Sequence, residues 1–461
     1  MTSRMNRREF LRAATCAGTS LLVLGHSRSA ASNEASEKLN IAIVGVGNRG
    51  TYHARTILRG SQNLVAICDA DRNRPAELSK IPPEVSRYQD FRKMLDDMDG
   101  RIDAVLVATT DHNHAVVSAA AMKRGKHVFC EKPLAHDVRE ARVLRQIARQ
   151  QKVATQVGSQ GMASDSFRRT LELIQEGAVG EIREVHLWFV FGGSGPRQVP
   201  KGSVPVSEYL DWDVWLGPAR FRPYHPLWVK SAYGWRDFGT GPLGGGGSHS
   251  INLAFKALKL GALWEASGER KANIRVEVEI SERCIESFPR WEILRFDLPA
   301  RGPLPPVRMH WYDGPEAELR RKGVWRRLEK IAGRSLEWKD GSWTPRSGTL
   351  LVGSKGVVHT NAHNSSCALL PERDFPGSGG RPRKLPHVQS HQQEWFQACK
   401  GKGGTLANFD HAGPATELLQ LGNVATLVGK TLEFDPVACK IVNNTQADAL
   451  LRPKYREGWS L

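Results

Sequence analysis

Short apolar runs separated by polar, helix-spaced stretches organise the first third of the chain. They fall at 41–44, 63–68, 104–109 and 128–130, with a further run at 154–157. Each has the length of a strand and is bounded by turn residues, which suits strands buried on both faces. Between them, residues 51–59, residues 88–98 and an alanine-rich stretch ending at 124 carry helical spacing, and another helix follows 133. Strand and helix in alternation predict an α/β fold with a doubly wound parallel sheet. Functional residues are then expected past the carboxyl ends of its strands. Gly45, Asp69, residues 109–114 and residues 131–133 all fall there.

The join after the first run reads GVGNRG, with Gly45, Gly47 and Gly50 at G-x-G-x-x-G spacing. Gly45 permits a tight turn out of the strand, Gly47 lets backbone approach a pyrophosphate, and Gly50 lets the next helix pack close. The free N–H groups at that helix start suit phosphate. Nineteen residues beyond Gly50, at the end of the second run, stands Asp69. An acid in this place accepts hydrogen bonds from the adenosine ribose and favours NAD over NADP. Arg72 and Arg74 nearby weaken that preference without removing it.

Composition changes the picture at the N-terminus. Residues 6–12 read NRREFLR, a modest apolar run follows at 13–25, and small residues at 29–31 offer a cleavage site. This pattern at 1–31 predicts a twin-arginine (Tat) export signal and hence a periplasmic or otherwise exported protein. No run approaches the roughly 18 apolar residues of a membrane span. The formal charge is +17, and removal of five Arg and one Glu with the signal leaves 17 − 4 = +13. The basic residues are dispersed and carry no nucleic-acid motif. The densest run, 320–334, has amphipathic helical spacing and suits a solvated face. The cysteines beyond Cys16 are far apart, so neither a disulfide framework nor a cysteine metal site is expected.

Several motifs together resemble the Gfo/Idh/MocA family of nicotinamide-dependent sugar and cyclitol oxidoreductases. They are GVGNRG, CDAD, VATTDHNHAVVSAAAMKRGKHVFCEKPLA and VGSQ, followed by LDWDVWLGPARFRPYHP, GTGPLGGGGSH, NFDHAGPATELLQLGNVA and KYREGW. The resemblance implies an NAD-binding Rossmann domain at 38–158. It also implies a substrate and oligomerisation α+β domain at 159–461, built on an open, mainly antiparallel sheet. The runs 184–191, 275–280, 292–298, 307–312 and 350–352 suit its strands, and 392–398 and 414–426 suit helices closing back on the core. A small carbohydrate or cyclitol substrate and a homo-oligomer are further implications of the resemblance.

Hydride transfer from an alcohol needs a base for the hydroxyl proton. Lys132, in Glu131-Lys132-Pro133 after the fourth strand, is the first candidate, and the resemblance implies that it meets both substrate and nicotinamide ribose, often beside a cis proline bond. His249 is the second. The family pattern has an Asp four residues before this His, on the same helix face; here that position is Gly245, and an acid often found three residues after the His is Asn252. Glycines 244–247 weaken a helix by roughly 1 kcal/mol each relative to Ala, and they offer room for a bulky substrate. Asp237, His225 and Tyr233 are candidates to replace the missing acid. Cofactor contacts are expected from Gly45, Gly47, Asn48, Arg49, Gly50, Asp69, Thr109, Glu131 and Lys132, and from His112 and His114, one near the nicotinamide and the other structural.

The leading reading is an NAD-dependent oxidoreductase acting on a sugar or cyclitol hydroxyl. Free NAD is scarce outside the cytoplasm, so export also raises a glycoside hydrolase that oxidises, eliminates, hydrates and re-reduces with one retained NAD. A non-catalytic sugar-binding protein, suggested by Gly245, is the third.

Overall fold

The computed structural model describes residues 38–60, 62–74, 81–190, 195, 197–265, 272–336, 346–452 and 454–461; the expected export signal lies outside the described residues. The first apolar runs form strands β1 (Asn40–Val44), β2 (Asn63–Cys68), β3 (Ser86–Tyr88), β4 (Ala104–Val107), β5 (His127–Cys130) and β6 (Thr155–Val157). All pair in parallel, in the order β3-β2-β1-β4-β5-β6. This is the doubly wound order that the alternation predicts. Ile41, Ala42 and Ile43 are fully buried, as strands covered by helices on both faces require.

Residues 88–98 were expected to be one helix and are not. Tyr88 ends edge strand β3, paired to Cys68, and the helix spans only Phe91–Asp97. Asp90 sets its start by accepting from the Arg92 backbone N–H at 2.8 Å.

The second sheet has nine strands: β7 (Ile182–Phe189), β8 (Ile274–Ile280), β9 (Glu292–Leu298), β10 (Val307–Asp313), β11 (Ser347–Gly353), β12 (Val357–Asn361), β13 (Cys367–Leu370), β14 (Leu432–Asp435) and β15 (Lys440–Ile441). Their order is β13-β12-β11-β7-β10-β9-β8-β14-β15. Only β7 and β10 are parallel, so the sheet is mixed and mainly antiparallel. One face, with Val185, Leu187, Leu294, Phe296, Met309, Trp311 and Leu351, shares a core with the long helix Phe409–Val428. That helix begins five residues before the expected 414, because Asn408 caps it by accepting from the His411 N–H, and Pro414 lies inside it.

The stretch around 320–334 forms two helices, Glu316–Arg321 and Val324–Ala332, broken at Gly323. Their apolar side, Leu319, Val324, Trp325 and Leu328, covers Trp188 and Tyr312 on the other face of the sheet. The chain then returns to the first sheet. Trp395 and Phe396, on helix His391–Cys399, pack with Ile41, Ile43, Leu106 and Phe129.

A strap that follows β7 in the chain crosses the end of β2. Leu210 bridges to Asp71, the Arg72 N–H donates to the Tyr209 carbonyl at 3.0 Å, and the Asp211 N–H donates to the Ala70 carbonyl at 2.8 Å. Behind it Trp212, Trp215, Trp228, Trp235 and Phe238 form their own apolar cluster.

Candidate active site

The glycine loop behaves as its spacing requires. Gly45 has φ +85°, and a Cβ there would lie within 2.6 Å of the Ala108 and Thr109 backbone. A Cβ on Gly50 would overlap the Gly45 carbonyl oxygen, whereas one on Gly47 would meet nothing within 4 Å. The space is therefore filled by protein at the first and third glycines and open at the second, where backbone would approach a ligand. Helix Asn48–Arg59 starts here, with Asn48 and Arg49 exposed.

A cavity of about 260 Å³ runs from this loop along the strand ends. Gly45, Gly47, Asp69 and Thr109 line it on the sheet side; Ser207, Leu210, Trp215 and Tyr224 line it on the strap side. Asp69 accepts from the Val46 N–H at 2.9 Å through one oxygen and from the Asp71 N–H at 3.0 Å through the other. Each oxygen keeps a lone pair for a further donor. Burial raises its pKa against the opposing effect of those backbone bonds. Arg72 is turned away onto the Tyr209 ring and the Glu208 carbonyl. Arg74 stays at the cavity, 3.9 Å from Asp71.

Glu131 lies just beyond β5 and is buried. One of its oxygens accepts from Arg49 at 3.0 and 3.1 Å and from His53 at 2.8 Å. Burial alone would raise this carboxyl, but His53 and Arg49 outweigh it and hold it at about 2. A Cβ on Gly158 would overlap the same carboxylate, which explains a glycine in VGSQ. The Lys132–Pro133 bond is cis.

Lys132 reaches across to the second domain, donating from Nζ to the Gly245 carbonyl at 3.3 Å. Gly245 and His249 share helix Gly241–Ser250. Asp111, past β4, fixes the start of that helix by accepting from the Thr240 N–H at 3.0 Å and its hydroxyl at 2.7 Å. The four glycines lie in the middle of the helix, and no room opens around them: a Cβ at 244, 245, 246 or 247 would meet Thr240, Tyr233, Phe189 or Leu419. At Gly245 it would overlap Tyr233 Cε2 and Oη, so the Tyr233 phenol occupies the place of the usual Asp side chain.

His249 is 7% exposed, and its Nδ1 has no hydrogen-bond partner among the described residues. Its ring lies 4.4 Å, centroid to centroid, from that of His363. Burial first, then the Lys132 ammonium, push His249 well below the ordinary histidine range; burial, Lys132 and Arg49 lower His363 too. The site thus sets two neutral imidazoles beside a cation. His363 was not found from the sequence. Its place follows from β12, an unrecognised strand, and from Gly161, where a Cβ would overlap the His363 carbonyl.

Other candidates lie elsewhere. His112 has Phe238 and Trp215 carbonyls at 3.2 and 2.9 Å, with Asn113 Nδ2 also beside its Nε2. Burial lowers it to about 4, and the neutral ring is satisfied there. His114 lies 2.6 Å from the Pro133 carbonyl and 3.2 Å from that of Thr109, so it ties the Lys132 loop to β4. Neither ring offers a free nitrogen to the cavity. Asp237 pairs with Arg220 and Arg222, His225 accepts from the Leu227 N–H, and Asn252 accepts from His411.

Residues 39–159 match the model for an oxidoreductase family's NAD-binding Rossmann fold, and residues 180–292 and 338–461 match its C-terminal alpha/beta domain. Inositol 2-dehydrogenase of Salmonella typhimurium is 30% identical over 152 residues, covering 32% of this chain and 45% of the relative. Levoglucosan dehydrogenase of Pseudarthrobacter phenanthrenivorans is 26% identical over 155 residues, covering 32% of this chain and 39% of the relative. The chain thus spans less than half the length of these curated relatives. A levoglucosan dehydrogenase structure in complex with NADH and levoglucosan superposes with TM-score 0.55 at 16% identity, over 86% of this chain and 99% of the other. At that identity the likeness is one of fold.

Proposed function

Since the chain belongs to the Gfo/Idh/MocA oxidoreductase family, we propose that it is an NAD-dependent oxidoreductase acting on a hydroxyl of a sugar or cyclitol. The observation that carries this reading is the reach of Lys132 Nζ to the Gly245 carbonyl, on the helix that also carries His249, whose ring packs 4.4 Å from that of His363.

The residues present fit the cofactor. The open space at Gly47 and the helix N-terminus behind it suit the pyrophosphate, and Asp69 has lone pairs for the adenosine ribose. NAD held there supplies the hydride acceptor. Lys132 places its ammonium where it polarises the substrate oxygen. His249, kept neutral by burial and by Lys132, takes the hydroxyl proton at a ring nitrogen. His363, whose ring packs against that of His249, offers a second neutral imidazole at the site. The carbohydrate substrate itself is part of the proposal.

The test is oxidation of a panel of cyclitols and sugars with NAD. Lys132→Ala is expected to lower kcat by roughly 10²–10⁴, while NADH titration still shows binding. An unchanged kcat in that variant overturns the role of Lys132. Absence of NADH binding by the unaltered chain overturns the reading as a whole.

A second reading, raised by the proposed export, is the glycoside hydrolase with one retained NAD, for which the strap that lines one side of the cavity offers a cover. If aryl glycosides are cleaved without added cofactor, and denaturation releases stoichiometric NAD, this second reading replaces the first. Export by the Tat route is a separate proposal. It predicts that changing Arg7 and Arg8 to Lys keeps the protein in the cytoplasm when cell fractions are compared.

A further inference from the structure

A second cavity, of about 410 Å³, shares no lining residue with the coenzyme cavity, and none of Lys132, His249 and His363 lines it. Its size is that of a small-molecule pocket. Its walls come from both domains. Asp137, the cap of helix Val138–Gln151, stands on one side, and Val424, on the long helix Phe409–Val428, stands on another. Arg236, Phe288 and Ile285 close a third, and Lys454 lies in the C-terminal segment beside it.

Arg236 sets the charge of this cavity. Its Nε donates to the Cys284 and Ser287 carbonyls at 3.0 and 2.6 Å, Nη1 to the Asn423 carbonyl at 3.2 Å, and Nη2 to the Thr426 hydroxyl at 3.0 Å. All four acceptors are neutral, and no carboxylate pairs with Arg236 among the described residues. One N–H on each terminal nitrogen is left over. Burial lowers its pKa to about 10, so it remains a cation at neutral pH. Glu292, the acid that acts on it from the sheet, is itself pushed up to about 7 by burial.

The acids in the lining do not cancel this charge. Asp237 is held by Arg220 and Arg222 at 2.8 and 2.7 Å. Glu140 accepts from the Tyr455 hydroxyl through one oxygen and from the His136 and Asp137 N–H groups through the other. Lys454, exposed and in no ion pair among the described residues, offsets it. Burial first, then Glu140, raise Asp137 well above the usual carboxylate range, so it keeps its proton. Its Oδ2 is buried without a hydrogen-bond partner among the described residues. Apolar surface lies beside the charge. Phe288 packs under the Arg236 guanidinium at 4.5 Å, and Ile285, 65% exposed, lines the same cavity. A cation set against a ring and an uncovered isoleucine suits a ligand that is anionic at one end and apolar at the other.

We propose that this cavity binds a small organic carboxylate, its anionic end turned to Arg236 and its hydrocarbon or ring body against Phe288, Ile285 and Val424. A neutral sugar lacks the charge that Arg236 calls for, and a free inorganic anion leaves the apolar wall in water. Thr240, in the same lining, precedes the helix that carries His249, so the ligand sits between the two domains behind the candidate active site.

The full chain is titrated by calorimetry with benzoate, with its neutral isostere benzamide and with inorganic phosphate, each with and without saturating NADH. Benzoate is expected to bind at one equivalent and to raise Tm. Benzamide and phosphate are expected to bind at least about tenfold more weakly. NADH leaves benzoate affinity unchanged, and so does Lys132→Ala. Arg236→Gln weakens benzoate by at least about tenfold, and Ile285→Ser, at the exposed wall, by about threefold. No saturable benzoate binding by the unaltered chain overturns the proposal, as does equal affinity for benzamide or phosphate. Competition by NADH, or loss of binding in Lys132→Ala, also overturns it, since either puts the anion in the candidate active site. So does an Arg236→Gln variant that melts normally and keeps its affinity. Should Arg236→Gln fail to fold, Ile285→Ser decides: full affinity in that variant overturns the proposal.

Discussion

Gly245 shows how a single missing side chain is decided by its neighbour. The phenol of Tyr233 fills the volume that an Asp would enter. Gly245→Asp is therefore expected to destabilise by about 1–3 kcal/mol, as overpacking does. Tyr233→Ala in the same chain should recover part of that loss, and thermal melts of the two single variants and the double variant measure the coupling. Additive effects would mean that the two side chains do not compete. Glu292 gives a second prediction. It is fully buried, accepts from Trp311 Nε1 at 2.8 Å, and is pushed up to about 7 by burial, only partly opposed by Trp311 and Arg236. A carboxyl with a folded pKa above its unfolded value binds its proton more tightly when folded. Its stabilising contribution is whole below the ordinary carboxylate range and is lost as pH rises towards 7. Glu292→Gln, which keeps an acceptor for Trp311, should stabilise the protein by about 3 kcal/mol at about pH 8 and by little at about pH 4. Equal Tm shifts at both would contradict a neutral native carboxyl.

At the scale of elements, the strap from Ser207 to Asp211 is held to the end of β2 by backbone bonds and backed by a tryptophan cluster. NAD beneath it should slow amide exchange at Arg72 and Asp211, read by hydrogen exchange with and without NADH; unchanged rates would place the cofactor elsewhere. The strap was not legible in the sequence, because its pairing with Asp71 joins positions far apart in the chain. The parallel sheet was legible, since each of its central strands is a continuous apolar run. β12 to β15 were missed for a local reason. They are two to five residues long, and Val357–Asn361 turns polar after two residues. Missing β12 meant missing His363. Lys132 and His249 were readable as candidates because each sits in a compact motif, whereas the start of the helix that carries His249 is set by the long-range Asp111–Thr240 bonds.

The molecule as a whole turns a charged lattice outward on the part of the second sheet left uncovered by helices Glu316–Arg321 and Val324–Ala332. Arg275 pairs with Glu277 along β8, and Arg295–Glu277 and Arg308–Asp297 pair across β8, β9 and β10, at 2.7–3.1 Å. We propose that a homo-oligomer formed through this face is polar and weakens with added salt. Light scattering across a salt series checks this, and a salt-insensitive assembly would put the contact on another face. The strap has a consequence of a different kind, in the order of events during turnover. A coenzyme that stays beneath it through both half-reactions makes the oxidised and the reduced sugar visit the same pocket in turn, each leaving before the other arrives. Initial rates measured against both substrates would then fall on parallel double-reciprocal lines, the signature of alternation, and intersecting lines would mean that the coenzyme itself comes and goes.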